Sequence, residues 1–352
     1  MKRVVLCAAA CLLLIACGKP NAAETAEAVS AQQSESATAV ETEDVVEIEE
    51  SSLSNTTEAA RPATVPGPTE GTVADAKTAE PTAAPTLPPA PPEIRFPGKF
   101  SETKILDDEA RTYKSSTIDI SIKVYNEKNT YSKRIVYYVA DIYVADVTSI
   151  RTAAARGDFG MRYERRVREI ASDAGAILAI DGDTYTHVEK SFVIRNGVLY
   201  RDTPIKDTDI CILYRDGTME TKKWGTFTAQ EVIASDPWQV WGFGPALLDE
   251  EGHAISIEHK LSGHNPRAAI GYYEPGHYCF VIVDGQRGKK DSGSDGIRLS
   301  ALSQLMADLG CKVAYNLDGG DSAQMYWNGK IINKTKNESR VISDIIYILP
   351  EG

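Results

Sequence analysis

At 352 residues, with 38 basic against 50 acidic side chains, the chain has a formal charge of −12. That balance gives no reason to expect nucleic acid as a partner. Thirteen acidic and three basic residues fall within residues 18–92, so the remainder, residues 93–352, is close to neutral.

In chain order, Lys2-Arg3 begins a basic stretch, Val4 to Leu14 is apolar, and Leu14-Ile15-Ala16-Cys17 resembles a bacterial lipobox. Such a segment is too short for a permanent spanning helix. It implies cleavage before Cys17, lipidation of its sulfur and a lipoprotein anchored at the outer face of a membrane, with a simple secretory signal as the alternative. Residues 18–92 are rich in Ala, Thr, Glu, Ser and Pro and nearly free of aromatics. They bury too little apolar surface to offset ordering entropy, so they read as a tether, stiffened by prolines toward residue 92. From Glu93 the composition is that of a globular domain long enough for a sizeable core. Cys211, Cys279 and Cys311 each sit in an apolar run with no zinc spacing, and read as small buried hydrophobes.

Short strands dominate the domain. Thr117 to Tyr125 alternates, and Arg134 to Val147 continues as strand. Tyr163 to Ala174 has helical spacing, stopped by Gly175, and the strand Ala176 to Ile180 leads to Asp181-Gly182-Asp183. Phe192 to Tyr200 is a hairpin turning at Asn196-Gly197, and Ile210 to Tyr214 starts another at Asp216-Gly217. Gly242 to Leu248 is a glycine-bracketed turn entering a strand. His264-Asn265-Pro266-Arg267 precedes the strand from Ala268, and Val281 to Val283 ends at Asp284-Gly285. Residues 291–296 read as a loop. Ser300 to Leu309 reads as a helix with Ser300 as cap and Gly310 as stop. A strand then enters Asn316-Leu317-Asp318-Gly319-Gly320-Asp321-Ser322 and leaves by a hairpin at Asn328-Gly329. The expected fold is α+β: mixed, mainly antiparallel twisted sheets with two or more packed helices, forming a single C-terminal catalytic domain, 93–352.

The 316–322 stretch is either a tight polar turn or an active-site loop, since Gly-Gly lets successive N–H groups approach an anion. Asp181, Asp284 and Asp318 each end a strand on Asp-Gly, which is also ordinary turn chemistry. Arg267, directly before an apolar strand, suits either a bidentate phosphate fork or a structural salt bridge. His264 is a possible acid or base. No GxSxG, P-loop or HExxH occurs.

Taken together, His264 to Arg267, Gly244-Pro245, Ala179 to Asp183 and Asn316 to Ser322 with Met325 and Asn328-Gly329 resemble the phosphodiester glycosidase family over Tyr137 to Ile348. The resemblance implies hydrolysis of a sugar-1-phosphodiester at its glycosidic bond. Asp318, Arg267, Asn316 and Asp284 would be catalytic, with Arg267 holding the phosphate. Asp181, Asp183, His264, Gly319, Gly320, Ser322 and Arg287 would line the substrate site. Asp181 and Asp321 stand where the family usually has Asn and Gly. The extra carboxylates leave room for a divalent cation at Asp321 beside Asp318, and no other cofactor is implied. The partners implied are a carbohydrate phosphodiester and a membrane. Two rivals stay open: a glycan-binding lipoprotein using Trp224, Trp238, Trp241 and Trp327, and a phosphodiesterase cutting P–O with paired metal ligands.

Overall fold

The computed structural model describes residues 96–128, 134–159, 162–187, 191–258, 262–285, 293–334 and 339–351. The leader, the tether, Cys17, Arg287 and part of the 291–296 loop lie outside the described residues. Among those described, no helix is long and apolar enough to cross a membrane.

Three antiparallel sheets form the domain. The largest has seven strands in the spatial order Ile105–Asp107, Thr112–Lys114, Ile118–Lys128, Arg134–Val144, His277–Val283, Arg267–Glu274 and Val313–Asn316. A second has five: Met219–Lys222, Ile210–Tyr214, Pro237–Trp241, Phe192–Arg195 and Val198–Asp202. The third is Lys330–Ile331, Met325–Trp327, Leu178–Asp181, Asp344–Ile348 and Ile150–Ala154. A short pair joins Arg165–Arg166 to Val341–Ile342.

Period-2 alternation gives each sheet two apolar faces. One face of every sheet enters a common core, where Tyr278, Phe280 and Ile282 meet Leu178, Ile180, Met325 and Ile346 as well as Cys211 and Trp241. Each opposite face is backed by its own helix. Helix α1 (Val167–Asp173) packs on the third sheet, α2 (Ala229–Ala234) on the second and α3 (Leu299–Asp308) on the largest. This is the expected α+β class.

Local chemistry explains where expectation and structure part. Helix α1 starts at Val167, not Tyr163, because Arg165 and Arg166 pair with Ile342 and Val341. Helix α3 is entered from Arg298 with no side-chain cap. The Ser300 hydroxyl instead accepts from the Ile257 N–H and donates to its carbonyl. Helix α2 was not anticipated, although Thr228 and Glu231 form a complete capping box. Residues 246–248 make single bridges instead of a strand. The Cys279 and Cys311 thiols lie 3.7 Å apart. They meet across Gly271, where a Cβ would stand 2.6 Å from one sulfur and 2.7 Å from the other. Both cysteines are free and buried. They pack as hydrophobes.

Register then sets the site. Arg267 pairs with Val283 and Ala269 with Asn316, so Arg267, Asp284 and Asn316 share one end of the largest sheet. Ile345 pairs with Asp181 and Met325 with Ile180, placing Asp181 and Gln324 at the matching end of the third. Residues 317–324 cross from one sheet to the other.

Candidate active site

The crossing loop is tied at both sides. Leu317 N–H donates to Ala268 O at 2.9 Å, Asp318 N–H to Gly182 O at 3.1 Å and Gly320 N–H to Pro266 O at 3.0 Å. Gly319 is tightly placed, since a Cβ there would lie 3.0 Å from Pro266 O. Gly320 has φ +66°, which glycine adopts without strain. Asn316, Asp318 and Ser322 therefore leave the sheet in a shape imposed by backbone contacts.

Asp318 is partly exposed. Its carboxylate accepts from the Gly319 N–H at 2.8 Å and is hydrogen-bonded by the Ser322 hydroxyl. Burial raises its pKa, while Ser322, the Gly319 N–H and the charge of Arg340 hold it down. Arg340, exposed at the start of the Val341–Ile342 strand, donates from Nε to Ser322 Oγ at 3.3 Å. Sequence reasoning missed it. The signal used for Arg267, an arginine directly before an apolar strand, was present at Arg340 as well.

Behind Asp318 lies Asp181, fully buried. Its Oδ1 accepts from the Gln324 N–H at 3.2 Å, and Oδ2 has no hydrogen-bond partner among the described residues. Burial first, then the neighbouring Asp318 charge, push its pKa well above the carboxylate range. A carboxyl so placed favours its protonated form, and Asp318, held down by Ser322, the Gly319 N–H and Arg340, ionises more readily of the two. Asp181 thus supports the loop from beneath and does not face solvent.

Asp183 is also set back from the surface. Its Oδ2 takes Arg195 Nη2 at 3.1 Å and the Gly242 N–H at 2.9 Å. Arg195, fully buried, donates through Nε to Asp344 Oδ2 at 2.9 Å, and the Asp183 N–H donates to Asp344 Oδ1 at the same distance. Burial lifts the Asp344 carboxyl and Arg195 draws it back. Gly182 is required beside this pair, because a Cβ would come within 2.4 Å of Asp344 Oδ1. Asp183, expected to line the substrate site, is thus built into a buried Asp183–Arg195–Asp344 brace.

Asp284 is buried and accepts from Asn333 Nδ2 at 3.0 Å and the Lys334 N–H at 3.1 Å. Burial pushes its pKa up to about 6 against those hydrogen bonds. Asn333 also donates to Ala323 O and accepts from the Met325 N–H, so Asp284 anchors the far end of the crossing loop. Asn316 is buried too. Its Nδ2 donates to Gly244 O at 2.7 Å, and its Oδ1 lacks a hydrogen-bond partner among the described residues.

The Arg267 guanidinium donates from Nε to Ile297 O at 3.3 Å and from Nη2 to Gly263 O at 2.8 Å, and the side chain is buried along Gly319. His264 Nδ1 lies 3.2 Å from Gly296 O. Both residues fasten the 263–267 turn to the 296–297 segment. Among the described residues, the carboxylate and imidazole donors that gather as a set of three are Asp249, Glu251 and His253, on an exposed turn. Asp321 joins no such set among the described residues. Trp238, Trp241 and Trp327 are buried, leaving only Trp224 of the four tryptophans exposed. They form no glycan-stacking face.

The arrangement of antiparallel sheets is similar to that of a phosphodiester glycosidase catalytic domain. The catalytic domain of zebrafish N-acetylglucosamine-1-phosphodiester alpha-N-acetylglucosaminidase, solved in a form auto-inhibited by its pro-peptide, superposes with a TM-score of 0.55. The match covers 67% of this chain and 85% of that one at 19% identity, and speaks for the fold alone. The chain belongs to the phosphodiester glycosidase family, whose model matches residues 174–349, half of the sequence. An uncharacterized protein from the SPbeta prophage of Bacillus subtilis, YomE, is 26% identical over 203 residues. That alignment covers 55% of this chain and 31% of YomE, so the chain spans under a third of that relative. A hypothetical protein from Synechocystis reaches a TM-score of 0.44 at 14% identity, covering 66% of this chain and 62% of its own, too weak to argue from.

Proposed function

We propose that the domain hydrolyses a sugar-1-phosphodiester by breaking the bond between the anomeric carbon and the bridging oxygen. The observation that carries this reading is Asp318, held at the surface of the crossing loop between Ser322 and the Arg340 charge. Family membership supplies the reaction class.

The leaving group is a phosphate monoester with a second pKa of about 6. It departs with the bond electrons and needs no strong proton donor, unlike an alkoxide. Water supplies the new oxygen on the sugar. Asp318 acts at the anomeric carbon, where its negative charge opposes the developing positive charge. Arg340 and the Ser322 hydroxyl steady the departing phosphate. Protonated Asp181 lets Asp318 stay charged without repulsion from below. Arg267, Asp183 and Asp284 position the loop instead of touching substrate. The zebrafish protein's name makes an alpha-linked N-acetylglucosamine-1-phosphodiester the substrate to assay first. Lipidation at Cys17 and the tether would hold the domain outside the cell, near surface glycans.

Hydrolysis in ¹⁸O-labelled water tests the bond cleaved. Label is expected on the sugar's anomeric oxygen in a brief incubation corrected for exchange of the free sugar. Label in the phosphate would replace this reading with P–O cleavage, and no released sugar would favour a binding protein.

A further inference from the structure

Gln324 ends the crossing loop, and the site described above gives its side chain no task. The pairing of Met325 with Ile180 and of Tyr326 with Ala179, carried one residue further, sets Gln324 opposite Asp181. Tyr326 and Ala179 lie on the face covered by α1. By the period of two, Gln324 and Asp181 share that face and stand side by side. The Gln324 N–H donates to Asp181 Oδ1 at 3.2 Å, and its Nε2 donates to Asp321 O at 3.1 Å. One oxygen is left on each side chain. Asp181 Oδ2 and Gln324 Oε1 are both buried, and both lack a hydrogen-bond partner among the described residues.

Two acceptor oxygens satisfy one another only when a proton lies between them. An amide oxygen carries none, so the proton has to come from Asp181. The surrounding charges point the same way. Asp318 on the crossing loop and Asp344 on the adjacent strand both face Asp181 with negative charge. Arg195 is spent on Asp344, Asp183 and the carbonyls of Ile194 and Val240, while Arg340 acts on Asp318. Arg165 and Arg166, ahead of α1, face Glu169 and Asp173. The α1 residues packed on this face are Val167, Ile170 and Ala171, none of them charged. We propose that Gln324 is a positioning residue whose side-chain carbonyl holds the proton of Asp181 beneath Asp318, and that the site works only while this proton is in place. The inference rests on the function proposed above and adds the regulation of its site by pH. A bond to the neutral acid disfavours its ionisation. Once rising pH removes the proton, the Asp181 and Gln324 oxygens repel each other and the loop loses a tie. An anionic phosphodiester then also meets one more negative charge. kcat/KM therefore falls on the alkaline side.

The test follows kcat/KM of an alpha-linked N-acetylglucosamine-1-phosphodiester against pH for wild type, Asp181→Asn, Gln324→Met and the double variant. Asparagine keeps a donor toward Gln324 Oε1 and cannot ionise, so its profile should lose the alkaline fall, whatever its height. Gln324→Met removes the acceptor and should move the fall down by about one pH unit, the worth of one hydrogen bond to the neutral acid. In the Asp181→Asn background the same substitution should leave the shape of the profile unchanged, which separates proton holding from loop support. No alkaline fall in the wild type, or one that persists in Asp181→Asn, would overturn the proposal. So would a Gln324→Met shift of equal size in both backgrounds. Should Gln324→Met not fold, the Asp181→Asn profile decides alone. Infrared difference spectra of wild type against Asp181→Asn at pH 7 read the proton without turnover, and a protonated-carboxyl band is expected. A carboxylate band in its place would refute the held proton and leave the bond-cleavage reading standing. The protonated band in a protein that releases no sugar would keep the held proton and remove the hydrolase reading.

Discussion

Asp284→Asn separates a catalytic carboxylate from a structural one. Burial raises the Asp284 pKa from 3.8 to about 6. An acid whose pKa is higher in the folded state binds its proton more tightly there, so folding weakens as pH rises from about 4 through 6. At 1.36 kcal/mol per unit, the ionised carboxylate costs about 3 kcal/mol at pH 7.5, and about half of that is relieved at pH 5. Asparagine carries no such charge and keeps one oxygen for Asn333 and the Lys334 N–H, whose 3.0 and 3.1 Å contacts both fall on Oδ1. Urea unfolding of both proteins from pH 5 to 7.5 gives the comparison. The variant should gain stability relative to wild type as pH rises, by roughly 1.5 kcal/mol across that range. Turnover measured at pH 7 should stay within a few-fold. A pH-independent difference together with loss of turnover would refute the argument and make Asp284 a group that meets substrate.

Asp318→Asn should abolish turnover without lowering the melting temperature, because volume and the Gly319 contact are kept and burial already disfavours the charge; release of reducing sugar beside a thermal melt shows whether both hold. Arg340→Gln should lower kcat/KM by roughly tenfold or more on a phosphodiester, the loss of one charge-assisted contact. Equal kinetics would remove Arg340 from the site. Arg195→Met strands Asp183 and Asp344 as unpaired buried carboxylates and should cost about 3–5 kcal/mol, read as a large downward shift in calorimetry. Arg267→Lys gives up the planar clamp on two carbonyls, and should cost about 1–3 kcal/mol of stability with turnover following the folded fraction.

Local signals were the most legible. The Asn328-Gly329 turn, with φ values of 38° and 95°, joins Met325–Trp327 to Lys330–Ile331 as its composition predicts. Asn196-Gly197 and Asp216-Gly217 turn where expected, and Gly310, at φ +81°, follows the end of α3. Sequence also picked out the residues that converge on the crossing loop. It could not show which of them face outward. Asp183 and Asp318 look alike beside glycine. One is consumed by Arg195, a residue that reads as hairpin until its strand is set against Asp344. Asn333 was invisible for the same reason, since its partner Asp284 is distant in the chain and near only once the fold closes.

The crossing loop bears on how the domain would yield to heat and meet a ligand. Its amides are bonded to carbonyls on both flanking sheets, so Asp318 cannot be displaced while the two sheets stay together. Heat inactivation should then coincide with cooperative unfolding, with no earlier loss from a loosened loop. An inhibitor would meet a surface already in its final shape and spend little binding energy on rearranging it. Tight ligands would accordingly be rigid ones, matched to the fixed placement of Asp318 beside Ser322 and Arg340.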